Sequence, residues 1–173
     1  CIFPNLSKFL CFVKTFSSSN NSEFNGIINY LVKSSKENID KEIIIKSSSV
    51  NSTNEFHQPI NVVLYDNDYY YYSQNLQKSW ISFDFRNRRI VPTEYTIKSG
   101  PWKENGHHLK NWVLEGSVDN ESWKIIDEEK DSSFLNGKHL YHTFKIENNC
   151  SDKFRFIRIH STGLNWNNNN FKN

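Results

Sequence analysis

The sequence predicts an all-β protein, an antiparallel sandwich or barrel preceded by a short helical segment, on three observations. The chain of 173 residues contains no alanine, the strongest helix former, while Phe, Tyr, Ile and Val, which suit pleated surfaces, are plentiful. Short stretches of period-two alternation recur from Ser79 onward. Turn residues separate them at short, regular intervals, a spacing that fits hairpins rather than βαβ units.

The elements follow in order. In residues 4–15, Leu6, Phe9, Leu10 and Val13 fall at i, i+3, i+4 and i+7, one apolar stripe on a short helix with Pro4 near its first turn. The Ser/Asn run 17–22 breaks that pattern. Phe24, Ile27, Ile28 and Leu31 repeat the spacing with Ser22 available as a cap, which predicts a second helix over 23–33. Its apolar face needs the body of the domain to cover it. Ile43-Ile44-Ile45 is a β-branched run ending in Ser47-Ser48-Ser49, and a polar loop follows over 50–60. Val62-Val63-Leu64 is too short to assign. In Ser79-Trp80-Ile81-Ser82-Phe83-Asp84-Phe85, Ile81, Phe83 and Phe85 point one way and Ser82 and Asp84 the other. Further strands are predicted over 94–99, 111–117, 122–127, 140–146 and 154–161. In the last of these, Phe154, Phe156, Ile157 and Ile159 interleave with Arg155, Arg158 and His160. Asp119-Asn120 before Ser122-Trp123 reads as a hairpin turn with an aromatic packed behind it.

Bulk properties narrow the functional classes. The length suits one domain able to bury a core. Mean hydropathy is −0.71, and no run approaches a membrane-spanning length, so no membrane insertion is expected. A net charge of +2 gives no basis for nucleic-acid binding. Cys1, Cys11 and Cys150 form an odd set with no C-x-x-C pair; free thiols in a reducing compartment are expected, with one pair plus a leftover as the alternative. Five N-x-S/T sequons, at Asn5, Asn20, Asn51, Asn120 and Asn149, are about what chance gives in a chain with 24 asparagines. No targeting segment is visible, and without a methionine Cys1 is expected to be an internal or processed position.

Motifs for chemistry are sparse. G-x-S-x-G, a Gly-rich phosphate loop and H-E-x-x-H are all missing, so no catalytic residue, metal site or cofactor is implied. His107 and His108 are adjacent and on a strand would face opposite ways, one packed and one exposed. Asp66 and Asp68 flank Asn67 without an EF-hand pattern. Asp127 to Asp131 read as a solvated turn, and Arg86, Arg88 and Arg89 as the solvated end of a strand. Trp80, Trp112 and Trp123 sit beside strand patterns and are expected in the core. Trp102 differs, because it stands in the loop Ser99-Gly100-Pro101-Trp102-Lys103-Glu104-Asn105-Gly106, either as a lid over the core or as an exposed contact. In Tyr69, Tyr70, Tyr71 and Tyr72, alternation should bury two rings and expose two, and exposed Tyr is a favoured contact residue at interfaces and sugar sites.

Taken in order, these segments resemble the discoidin family, the coagulation-factor type C or galactose-binding-like module. The resemblance rests on Ser47-Ser48-Ser49, Ser79 to Phe85, Gly106 to Ser117, Asp119 to Trp123, and Phe154 to Ile159 with Thr162-Gly163, and it covers about residues 42–166. The flavour is that of the intracellular branch found after BTB domains in ubiquitin-ligase adaptors and abundant in some protists. The helix at Phe24 to Leu31 is similar to one that precedes the module there. The resemblance implies a jelly-roll β-sandwich over 41–173, lacking its final strand, after a helical extension over 1–40. It also implies a ligand edge where loops 50–58, 66–78 and 99–109 meet. The binding residues so implied are Tyr69, Tyr70, Tyr71, Tyr72, Trp102, Lys103, Asn105, His107 and His108. The function expected first is a non-catalytic module that recognises a protein within a larger intracellular assembly. Carbohydrate recognition is the alternative.

Overall fold

The computed structural model describes residues 13–16, 24–35, 38–51, 53–64, 69–74, 76, 78–147 and 151–167. The helix expected over 4–15 lies outside them except for its last residues, which are not helical, and the Asp66/Asp68 pair and all three cysteines also lie outside. One helix, α1 (Ile27–Ser34), corresponds to the second amphipathic pattern. The Ser35 N–H closes it on the Leu31 carbonyl at 3.0 Å. Its apolar stripe delivers Leu31 into the core with no exposed surface, beside Ile43 and Val63.

Among the described residues seven strands follow: β1 (Ile44–Ser47), β2 (Trp80–Asp84), β3 (Glu94–Lys98), β4 (Trp112–Ser117), β5 (Lys124–Glu129), β6 (Tyr141–Lys145) and β7 (Phe156–Ser161). All pairs are antiparallel. One sheet runs β1-β2-β7-β4-β5 and the other is β3-β6. The period-two patterns decide the faces. Ile81 and Phe83 of β2, Leu114 of β4, and Ile157 and Ile159 of β7 turn to the interior, joined by Phe85, Ile126 and Phe154. A bulge between Leu114 and Glu115 lets both Ile126 and Asp127 reach inward. Trp112, Leu135 and Phe144 form a second cluster against the two-stranded sheet. The short turns Ile39–Lys41 and Pro59–Val63 are 3-10 helices, so the unassigned Val62-Val63-Leu64 closes a turn and buries Val63.

The outer face of the larger sheet carries charge. Glu115 on β4 faces Arg158 on β7, with Nε and Nη2 each 2.7 Å from Oε2, and His160 Nδ1 stands 3.2 Å from the same oxygen. Trp80 and Trp123, expected in the core, are half-buried and flank this group instead. The Arg158 guanidinium lies 3.9 Å from the Trp123 ring centre and 6.0 Å from that of Trp80. At the opposite end from the site described below, Arg155 grips Asp84 through two hydrogen bonds of 2.7 and 2.8 Å. Two of the three arginines expected as solvated strand-end groups hold the chain together instead: Arg86 donates to the Asp40 carbonyl and Arg88 to the Glu42 carboxylate, while Arg89 is exposed as expected.

The hairpin turn after β4 has a pH consequence. The N–H groups of Glu121 and Ser122, then the Ser117 hydroxyl, hold the Asp119 carboxyl down from its ordinary 3.8 to about 2. A carboxyl depressed in the folded state stabilises above its unfolded value and loses that contribution as pH falls through its folded value. Urea denaturation should therefore show a stability decline between about pH 4 and pH 2. In Asp119→Asn, which cannot titrate, that part of the slope should be shallower.

Candidate functional site

The strand ends bring four segments together at one end of the sandwich. Ser47 pairs with Ile81, Trp80 with His160, and Trp112 with both Ser161 and Glu129. Segments 48–79, 99–111, 130–140 and 162–167 therefore emerge at the same end. The first folds back on itself, with the Asn51 N–H on the Tyr72 carbonyl and the Tyr70 N–H on the Phe56 carbonyl, both at 3.2 Å.

This pairing sorts the four tyrosines. Tyr71 turns inward, its hydroxyl 2.9 Å from the Ser49 carbonyl, and burial pushes its phenol upward from the ordinary value. Tyr70 and Tyr72 share the other face, with rings stacked at 5.8 Å. His57 packs on both, at 4.7 and 5.0 Å. Trp102 meets the same two tyrosines edge-on at 5.3 and 5.7 Å. Tyr69 is exposed and packs on exposed Phe56 at 4.7 Å. The loops thus bring His57, Tyr70, Tyr72 and Trp102 into one row of rings, with Phe56 and Tyr69 as a separate exposed pair.

The Trp102 loop is fixed from beneath. His108 is buried, and its Nε2–H is shared between the carbonyls of Trp102 and Lys103 at 2.9 and 3.0 Å. Both partners are acceptors, so this nitrogen carries the proton. His108 is therefore a clamp inside the loop and does not face the surface with the other expected site residues; Tyr71 is withdrawn from the surface in the same way. Asn105, exposed and in the left-handed region at φ 58°, is locked to Asn136 by reciprocal hydrogen bonds of 2.7 and 3.1 Å. The His139 N–H reaches the Gly100 carbonyl at 3.0 Å. Gly100 is required by close approach, because a Cβ there would run into the Trp102 ring. Lys103 is exposed, and exposed His107 accepts from the Asn167 side chain at 3.1 Å.

Beside the ring row, an open cavity of about 610 Å³ is lined by Val50, Asn51, Thr53, Glu55, Gln58 and Gln74. Gln74 is held at the cavity by its N–H, which donates to Ser49 Oγ at 3.1 Å. Sequence reasoning placed a loop here but singled out none of these side chains, nor His57. Single amides and an isolated histidine carry no pattern until the loops are folded together. Among the described residues, no group of three His, Cys, Asp or Glu is placed to hold a metal ion, and no helix is long and apolar enough to cross a membrane.

No protein-family model and no curated protein sequence matches the chain. Solved structures do match it. The module CpGH89CBM32-5 from Clostridium perfringens, solved in complex with GalNAc-β-1,3-galactose, superposes with a TM-score of 0.55 at 12% identity, over 72% of this chain and 86% of that one. A fucolectin from striped bass (Morone saxatilis) serum gives 0.54 at 12% identity, over 72% of this chain and 43% of that one. Chitosan-binding module 1 of a Paenibacillus chitosanase/glucanase gives 0.50 at 10% identity, over 70% and 83%. At such identities the likeness is one of architecture. Together with the two antiparallel sheets and their strand order, it shows that the chain has the galactose-binding-like β-sandwich fold of discoidin domains.

Proposed function

We propose that the chain is a non-catalytic carbohydrate-binding module whose ligand lies across the Trp102 loop and the 50–58 and 69–74 loops. One observation carries the reading: the loops that pack the Trp102, Tyr70, Tyr72 and His57 rings together also line an open cavity with Asn51, Thr53, Gln58 and Gln74, beside Val50 and Glu55. A pyranose has C–H faces that pack on rings and hydroxyls that bond to amides, and this site offers both within one stretch. The clamps at His108 and Asn105 hold the rings in place before the ligand arrives, which lowers the ordering cost of binding. That the superposing modules and lectin are carbohydrate binders supports a sugar over the protein partner that the sequence suggests first.

Isothermal titration calorimetry against galactose, N-acetylgalactosamine and oligomers of glucosamine and N-acetylglucosamine tests this. Wild type should bind at least one of them. Trp102→Ala and Tyr72→Ala should each weaken that binding by about tenfold or more, near 1.4 kcal/mol, with little change in melting temperature. A wild type that binds none of the panel, or variants that bind as well as wild type, would overturn the proposal.

A further inference from the structure

The cavity beside the ring row has one ionisable wall residue, Glu55. Its backbone is tied down at several points. The Phe56 N–H bonds to Asn54 Oδ1 at 3.0 Å, Gln58 Nε2 donates to the Asn54 carbonyl at 2.8 Å, and Asn61 Nδ2 donates to the Glu55 carbonyl at 3.0 Å. The stem of the carboxylate is therefore fixed, while the side chain is exposed. Among the described residues it enters no ion pair; the salt bridges lie on Glu42, Asp84, Glu115, Glu128, Asp131 and Asp152. Lys103 belongs to the Trp102 loop and does not line the cavity.

We propose that this cavity selects a cationic amino sugar, with the free ammonium of a hexosamine unit on the Glu55 carboxylate and the sugar's hydroxyls on Asn51, Thr53 and Gln74. The inference rests on the carbohydrate reading above and adds a charge class to it. Two features favour a cation over an anion here. The carboxylate attracts an ammonium directly, and no lysine or arginine of the wall competes for it. A uronic acid or sulfated sugar would meet a like charge with no arginine or lysine in the wall to offset it. Val50 supplies the apolar contact beneath the ring.

The test is calorimetry in mildly acidic buffer, where the sugar amine is charged. It compares a glucosamine oligomer, the N-acetylated oligomer and an oligogalacturonate of equal length, on wild type, Glu55→Gln and Trp102→Ala. Wild type should prefer the glucosamine oligomer to the acetylated one by about fivefold, the scale of an exposed ion pair, and should bind the galacturonate most weakly. Glu55→Gln should abolish that preference, so that the variant binds the glucosamine and N-acetylated oligomers equally. Equal or tighter binding of the neutral oligomer by wild type, or a preference that survives Glu55→Gln, overturns the inference. If the neutral oligomer binds and is lost in Trp102→Ala without any charge preference, the inference falls and the carbohydrate reading stands. If no saccharide binds, both fall.

Discussion

Trp112→Ala is expected to destabilise the domain by about 3–5 kcal/mol, the cost of removing a fully buried large ring and leaving a cavity. Trp112 has no exposed surface. Its ring meets Phe144 edge-on at 5.2 Å, and its Nε1–H donates to the Tyr95 hydroxyl at 3.1 Å. That hydroxyl in turn donates to Asp127 at 2.7 Å. Burial and then the hydrogen bond to Asp127 push the Tyr95 phenol far above its usual range, so it stays a donor at all working pH values. Trp112 thus joins the two sheets twice, by packing and by a half-buried polar relay. Because the whole stability of a domain is about 5–15 kcal/mol, the variant should unfold at much lower urea concentration. Trp112→Phe keeps part of the packing against Phe144 and gives up the hydrogen bond and part of the ring volume, so its midpoint should fall between those of wild type and Trp112→Ala.

The second large effect is on the outer face of the five-stranded sheet. Glu115→Ala removes the anion that Arg158 and His160 share and leaves the Arg158 charge, 17% exposed, between two indoles. Removing one member of a buried pair costs about 3–5 kcal/mol, mostly the penalty of the charge left behind. The double variant Glu115→Ala/Arg158→Leu removes that stranded charge and should recover a good part of the loss. The double-mutant cycle should therefore show a coupling of more than about 1 kcal/mol. Additive losses in urea denaturation would mean that Glu115 and Arg158 act independently.

These residues also show what a sequence can and cannot reveal. The interior of the sandwich was legible because strands repeat every two residues: Ile81, Phe83, Ile157 and Ile159 are spaced for one face and lie on it. The charged pair was not, because Glu115 and Arg158 meet only through the β4–β7 pairing, across 43 residues of chain. For the same reason Trp80 and Trp123 were expected inside; a local pattern reports an aromatic next to a strand, and the register decides which face it takes. At the loop end, alternation predicts two buried and two exposed rings in Tyr69 to Tyr72, but only Tyr69 is exposed while Tyr70, Tyr71 and Tyr72 are half-buried, because the segment is irregular and packs by its pairing with Asn51 and Phe56. His57 and the amide wall had no local signal, since their meaning comes from backbone pairing between Asn51 and Tyr72 and between Phe56 and Tyr70. His108 had a signal, the His pair, but its clamp on the Trp102 and Lys103 carbonyls depends on a loop closure that periodicity does not encode.

The most direct test of the central claim is a saccharide titration followed through the five tryptophan indole N–H signals in a ¹H–¹⁵N correlation spectrum, using the glucosamine and N-acetylglucosamine oligomers. The Trp102 signal should move in a saturable way, together with the ring signals of Tyr70 and Tyr72. The Trp112 signal, held on Tyr95 inside the core, and those of Trp80 and Trp123, on the sheet face, should stay in place. Saturable shifts at Trp80 and Trp123 with Trp102 still, or no shift anywhere at high saccharide concentration, would contradict a sugar site at the loop end.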